Sequence, residues 1–475
     1  MAKLTKPVLF SQKFGIVPKL LDRSGLMDPI LNSDTKLFID PLLIGKSQNS
    51  IMRADGLKLL KRSFQDVLEL LEVSATEGDV AWRGAYKALN LDERSETGLG
   101  YGGASTSGAD RPEWLRNNIL RTAKEIITLG EKNPNVIPLM GLFEDGVGPD
   151  TLSDMTTNAL LPALCKITSQ FAELNNVKVT QFGDIYGNAK LPKNPYRLNE
   201  PVLLVPRDIL RDLPLATDWA DVSRVILEVK ELRDAVNKLF GNWSKATVSE
   251  RKAAMRKAAF DSPENMKRLL SAVANASESY DEKADLDGLF TFRKVLSENR
   301  DQYVGLITAP NKKNQDTLRE TVLEVVAQFR SLVEDNNLWE LLWHGQDSRH
   351  ERAAQLLFFA VANVICAVND VDISPETNSG GGPVDFKFST GFGGRILVEI
   401  KLSKGQVEHG YSKQLEVYKA AAKNASGVFI VIDVGGMGLK LKKIQAAQKK
   451  AESAGDTTSS IEYIDARRRK SASKR

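Results

Sequence analysis

Apolar residues recur at three- and four-residue spacing over 54–73, 112–131 and 151–174, which predicts three amphipathic helices. On either side of them, KLFID (36–40) and PVLLV (201–205) read as short buried strands, so residues 1–215 are expected to form a mixed α/β domain. From 216 to 345 the pattern is almost entirely helical: Val222–Leu239, Thr247–Phe260 and Thr317–Val333 carry apolar stripes, and Asp261-Ser262-Pro263 breaks one helix and starts the next. After His344-Gly345 the pattern changes. Arg349–Asn369 predicts a helix apolar on nearly every side, and SPETNSGGGP (374–383) a turn. VDFKF (384–388) and RILVEIKL (395–402) predict strands joined by Thr390–Gly394. A helix at about 408–424, a strand at 427–433, a basic helix at 438–453 and a last strand at 460–465 complete the order. The fold class is α/β: a mixed α/β domain (1–215), a helical middle (216–345) and a C-terminal αβ domain (346–475) with one mixed sheet flanked by helices.

Composition narrows this picture. With 42% hydrophobic and 27% charged residues the chain has enough apolar surface for a core, which excludes wholesale disorder. Cys165 and Cys366 lie in separate apolar runs and read as buried free thiols, pointing to a reducing compartment. With only His344, His350 and His409 beside them, a His/Cys zinc site is excluded. The start of the chain lacks the apolar core of a signal peptide, and no run is long enough to cross a bilayer; the expected location is the cytoplasm, with no membrane partner. Net charge is +4, but residues 385–475 hold 18 Lys and Arg against 9 Asp and Glu. That basic region suits a polyanionic partner, with a solvated tail the alternative for Arg467–Lys470.

Three residues carry candidate chemistry. Asp385 lies on a strand, and Glu399 and Lys401 lie two apart on the next, so the latter two share a face. A hairpin can bring Asp385 beside them. Two carboxylates there suit Mg²⁺, with Mn²⁺ as a substitute, and Lys401 beside them can orient a water and offset charge on a phosphate. Charges in RILVEIK, otherwise an apolar strand, are costly unless paired or metal-bound. Glu351 opens the preceding helix, where the helix dipole is the competing explanation, and Gln414 and Tyr418, four apart, share a face of the following one. Lys404, His409 and Lys413 lie close by in sequence and read equally as phosphate contacts or solvated surface.

A second acidic group, Glu144, Asp145, Asp150 and Asp154 with Asp40, reads better as structure: Asp150 as a helix cap with Asp154 one turn later. The Gly/Ser-rich stretch 96–112 reads as a loop without a phosphate-binding pattern, and there is no ATPase motif or fixed-period repeat.

The set Glu351, Gly382-Pro383-Val384-Asp385, Glu399-Ile400-Lys401 and Gln414 with Tyr418 resembles the PD-(D/E)xK nuclease superfamily over about the last 130 residues. One departure is that Pro383 stands two residues before Asp385. The resemblance implies a restriction-endonuclease-like fold and Mg²⁺-dependent hydrolysis of DNA. It implies metal ligation by Asp385, Glu399 and Ile400, with Lys401, Glu351 and Gln414 completing the catalytic set. GVGPDTLSD (146–154) and LPxNPxxxxxPVLLVP (191–206) resemble uncharacterised bacterial proteins ending in such domains. By analogy this implies a restriction or antiphage setting, with regulatory or sensor partners and a possible homo-oligomer. The alternatives are a non-catalytic nucleic-acid- or partner-binding protein on the same fold, or a repair or recombination nuclease, with RNA as another substrate.

Overall fold

The computed structural model describes residues 7–35, 37–100, 113–217, 222, 247–276, 278–298, 318–369, 371–378, 383–389, 395–416, 419 and 425–469. They fall into two units, Val8–Tyr280 and one containing Asp281–Arg475. The helices of the middle segment, expected as a separate region from 216 to 345, are shared between the two units. Val248–Ala259 and Pro263–Ala276 bury Met255, Met266 and Leu269 in the first, whereas Leu318–Glu334 buries Val322, Val326 and Phe329 in the second. The expected helix at 222–239 lies outside the described residues, apart from Val222.

The first unit is mainly helical. After α1 (Phe10–Phe14) and α2 (Pro18–Arg23) come α3 (Leu57–Val73), α4 (Val80–Ala88), α5 (Glu113–Thr128), α6 (Pro149–Leu174), α7 (Val248–Ala259) and α8 (Pro263–Ala276). The stripe read from the sequence is the buried face of α3, through Leu60, Phe64, Val67, Leu68 and Leu71. The expected strands are much reduced. KLFID contributes only β1 (Phe38–Ile39), and two further short strands, β2 (Thr180–Gln181) and β3 (Lys190–Leu191), pair with each other. PVLLV is not a strand: its apolar side chains are buried, but its backbone is tied to scattered partners, Val202 N–H to Pro192 O and Leu203 N–H to Glu96 O. The partner of β1 is instead β4 (Leu210–Arg211).

The second unit is built on one sheet. Helices α9 (Leu289–Glu298) and α10 (Leu318–Glu334) lead to a hairpin, β5 (Trp343–His344) with β6 (Asp347–Ser348), and then to α11 (Glu351–Asn369). There follow β7 (Asp372–Asn378), β8 (Pro383–Ser389), β9 (Arg395–Leu402), a short helical turn (Val407–His409) continuing as a π-helical turn (Gly410–Leu415), β10 (Ala425–Asp433), α12 (Lys440–Ser453) and β11 (Ser460–Asp465). The strand order is β11-β10-β9-β8-β7; β7, β8 and β9 form an antiparallel meander, and β10 and β11 are parallel to β9. Residues 374–378 of the segment read as a turn belong to β7. Its Pro375 is tolerated because β7 is the edge strand, where a missing N–H need not break the ladder.

Both faces of the sheet are covered, which is why its central strands are almost continuously apolar. On one face Phe358 of α11 lies 5.4 Å from Phe329 of α10 and 5.3 Å from Phe386 of β8, ring centroid to centroid. Each such buried ring contributes roughly 1.5–3 kcal/mol. On the other face Leu397, Phe429 and Val431 pack with Tyr411, Leu415 and Ile444. Cys165 and Cys366 are both buried, and burial pushes the Cys165 thiol up to about 11. Among the described residues no helix is long and apolar enough to cross a membrane.

Candidate metal and phosphodiesterase site

The site forms where β8 and β9 part. Their ladder runs from Ser389↔Arg395 to Phe386↔Val398 and stops, whereas β9 stays paired with β10 as far as Leu402↔Ile432. One step further in the same register would set Asp385 opposite Glu399. There the Asp385 side chain takes the place of a ladder partner: its Oδ2 accepts the Ile400 N–H at 2.7 Å. Because a residue's N–H and C=O leave an antiparallel strand on the same side, the Ile400 carbonyl is directed to the same opening.

Three more side chains converge. Gln355 donates to Asp385 Oδ1 at 2.8 Å, so both oxygens of that carboxylate are held. Lys401 Nζ lies 3.0 Å from Glu399 Oε1 and 2.7 Å from Glu351 Oε1. Glu351 opens α11, and its Oε2 accepts from the Leu402 N–H at 3.4 Å. Glu399 is 2% exposed, and its Oε2 has no hydrogen-bond partner among the described residues. The Lys401 stem is held by the π turn: a methyl group on Gly410 would lie 2.9 Å from both Lys401 Cγ and Cε, so only glycine allows that approach. π turns of this kind recur at functional sites.

The electrostatics follow from three carboxylates sharing one lysine. Burial first, then the charge of Glu399, pushes the Asp385 carboxyl up to about 8 against the pull of Lys401 and the Ile400 N–H. Burial likewise raises Glu399 against Lys401. Burial alone would lower Lys401, but Asp385, Glu399 and Glu351 together raise it, so it stays charged.

The structure thus brings together Asp385, Glu399, Lys401, Glu351 and the Ile400 peptide. Gln414 is half-buried on the π turn and hydrogen bonds to none of them among the described residues; Tyr418, expected on the same face, lies outside the described residues. Asp385 stands on β8, the second strand of the sheet in chain order. Gln355 was missed, although it lies one helical turn after Glu351. His409 and Lys413 are exposed on the helical turn.

The acids of the first unit do not gather. Asp40 caps a turn through the Leu42 N–H and also accepts from Leu215. Glu144 takes Thr122 and Arg256, Asp145 takes Ser249, and Asp154 accepts the Arg94 N–H. Asp150 is not the cap of α6: that position is Gly148, and Asp150 lies in the first turn.

Among the described residues no three His, Cys, Asp or Glu side chains are arranged as a ready-made metal cage. Glu351 is turned to Lys401, which leaves two carboxylates and a peptide carbonyl. All are hard oxygen donors, a set that suits Mg²⁺, an ion that keeps several of its waters. The bare, buried Glu399 Oε2 and the raised carboxyls fit a divalent cation, whose charge would offset theirs.

Residues 15–218 match a family model described as "Domain of unknown function (DUF8370)", and residues 318–436 match one described as "Domain of unknown function (DUF8371)". The second span contains every residue of this site. No curated protein and no solved structure matches the chain.

Proposed function

We propose that the C-terminal unit is a divalent-metal-dependent nuclease that hydrolyses DNA phosphodiester bonds. The observation that carries the reading is the cluster at the parting of β8 and β9, where Asp385, Glu399 and Glu351 share Lys401 and one buried carboxylate oxygen is left bare. The order helix, three-strand meander, helical turn, parallel strand supports the same reading, because it is the order the resemblance to PD-(D/E)xK nucleases requires. The basic surplus of residues 385–475 supports a nucleic acid as substrate.

Asp385, Glu399 and the Ile400 carbonyl would hold Mg²⁺, which supplies positive charge against the scissile phosphate and acidifies water. The chain's own contribution is positioning. Gln355 and the Ile400 N–H fix the Asp385 carboxylate, while Glu351 and the Gly410 backbone fix the reach of Lys401. Lys401 orients the attacking water and stabilises the negative charge that builds on the phosphate as the new P–O bond forms and the bond to the leaving oxygen breaks. The attacking water gives up its proton to solvent, and a proton from solvent passes to the leaving oxygen.

The test is incubation of the full chain with linear, circular and single-stranded DNA in Mg²⁺, with and without EDTA. The reading expects EDTA-sensitive cleavage that Glu399→Gln abolishes. Cleavage by Glu399→Gln at the wild-type rate overturns it.

A further inference from the structure

Three chain segments meet beside the site. The β5–β6 hairpin leads through Arg349 and His350 into Glu351. The turn Ser403–Gly405 leaves β9 just after Lys401, and Gly405 sits so close that a methyl group on it would lie 3.7 Å from Glu351 Oε2. The segment Ala466–Arg469 leaves β11. The hairpin and the last segment are cross-tied, since Trp343 Nε1 donates to Ala466 O at 2.8 Å and the Arg468 guanidinium donates to Gln346 Oε1, while Lys440 of α12 holds the turn by donating to Ser403 O at 2.6 Å.

The indole of Trp343 is therefore fixed, and two cations gather on it. Lys404 Nζ is 5.5 Å and Arg468 Cζ 5.9 Å from its ring centroid. Both side chains are exposed, and among the described residues neither has a carboxylate partner. Arg467, next in sequence, shows the contrast: its guanidinium is 2.7 Å from Asp465. Two like charges drawn to one ring with no acid between them repel unless an anion bridges them.

Resting on the nuclease reading, we propose that Trp343, Lys404 and Arg468 form a phosphate-binding rim, and that it takes a backbone phosphate of the nucleic-acid substrate next to the scissile one. The turn carrying Lys404 abuts Glu351, so a strand entering the site crosses this rim. Lys404 and Arg468 share the phosphate, and the edge of Trp343 lies against the adjoining sugar.

The experiment measures binding of a labelled linear duplex to the full chain in EDTA, across a salt series, beside cleavage in Mg²⁺. The double variant Lys404→Gln/Arg468→Gln is expected to lose about tenfold in affinity, with a log–log salt slope shallower by about one phosphate contact. The charge-matched control Lys58→Gln/Lys61→Gln, exposed on α3, is expected to bind as wild type. Trp343→Phe keeps a ring for both cations but loses the bond to Ala466, and an intermediate loss of affinity is expected. If the double variant binds no worse than the control while the wild type cleaves, the rim is wrong and the nuclease reading stands. If the wild type does not cleave, the underlying reading fails and the rim with it. If the double variant loses an acidic peptide but not DNA, the rim is a protein contact and the proposal is overturned.

Discussion

The buried acids of the first unit and the acids of the candidate site in the second are partnered differently. In the first, each buried carboxylate has partners of its own: Asp40 two backbone N–H groups and Arg211 at 3.7 Å, Glu144 Thr122 and Arg256, Glu96 Arg94 and Tyr186. At the site, Lys401 is the one cation ion-paired among the described residues to Glu351 or Glu399, and Asp385 adds its charge beside them. Asp285 and Asp433, elsewhere in the second unit, are partnered like the acids of the first. Glu96 does have a bare oxygen of its own, so an orphaned atom is not the distinguishing mark. The distinguishing mark is the ratio of carboxylates to cations. A fold gains nothing by burying uncompensated negative charge, so a surplus of this kind argues for a ligand that brings positive charge.

The comparison breaks most visibly at its cations. Lys401→Met should lower the cleavage rate by at least about 10²-fold, the scale of losing one preorganised electrostatic group. It should leave the protein folded, because carboxyls already pushed up take protons in place of the ion pair. Arg256→Met in the first unit should do the reverse, lowering the melting temperature without touching the chemical step. Rates and melting curves on both variants decide the matter. An unstable Lys401→Met whose folded fraction cleaves normally would make the lysine structural.

A second pair tests the acids. Asp40→Asn has one oxygen for two backbone donors, so one buried N–H loses its partner at a cost of about 1–3 kcal/mol. Glu399→Gln removes a buried charge and has no hydrogen bond to lose at Oε2, so in EDTA it should melt at or above the wild-type temperature. Denaturant melts of the two variants check the contrast, and a destabilised Glu399→Gln would place that residue with the structural acids.

Much of this contrast was legible in the sequence, and what was hidden has identifiable causes. RILVEIKL, GVFIVID and SIEYID are β9, the bulk of β10 and all of β11, because strands covered on both faces or lying against a helix must be apolar and short, and little else has that pattern. Glu399 and Lys401 stood out for the same reason, as charges where the pattern forbids them. β7 was hidden by Ser374-Pro375, whose turn character loses to edge pairing. PVLLV was as apolar as a central strand but found no neighbouring strand, and periodicity carries no information about partners. Gln355 was hidden because a glutamine on a helix has many readings, and only the gap between β8 and β9 makes it a ligand of Asp385.

The smallest expected effect is one of pH. The Asp385 carboxyl stands at about 8 in the folded protein, against an ordinary value near 4. The folded state therefore holds a proton that the unfolded chain releases. The resulting stabilisation is complete below the ordinary value and is lost as pH rises through about 8. In EDTA the wild type should melt lower at pH 9 than at pH 6, and Asp385→Asn should flatten that slope. An equal slope in both would assign the titration elsewhere.

The surplus of buried negative charge is tested most directly by Mg²⁺ titration of the melting temperature, wild type beside Glu399→Gln, with no DNA present. A cation that binds only the folded site raises stability with the logarithm of its concentration. The account predicts a rising melting temperature for the wild type and a flat one for Glu399→Gln. Curves that rise equally, or two flat ones, would contradict it.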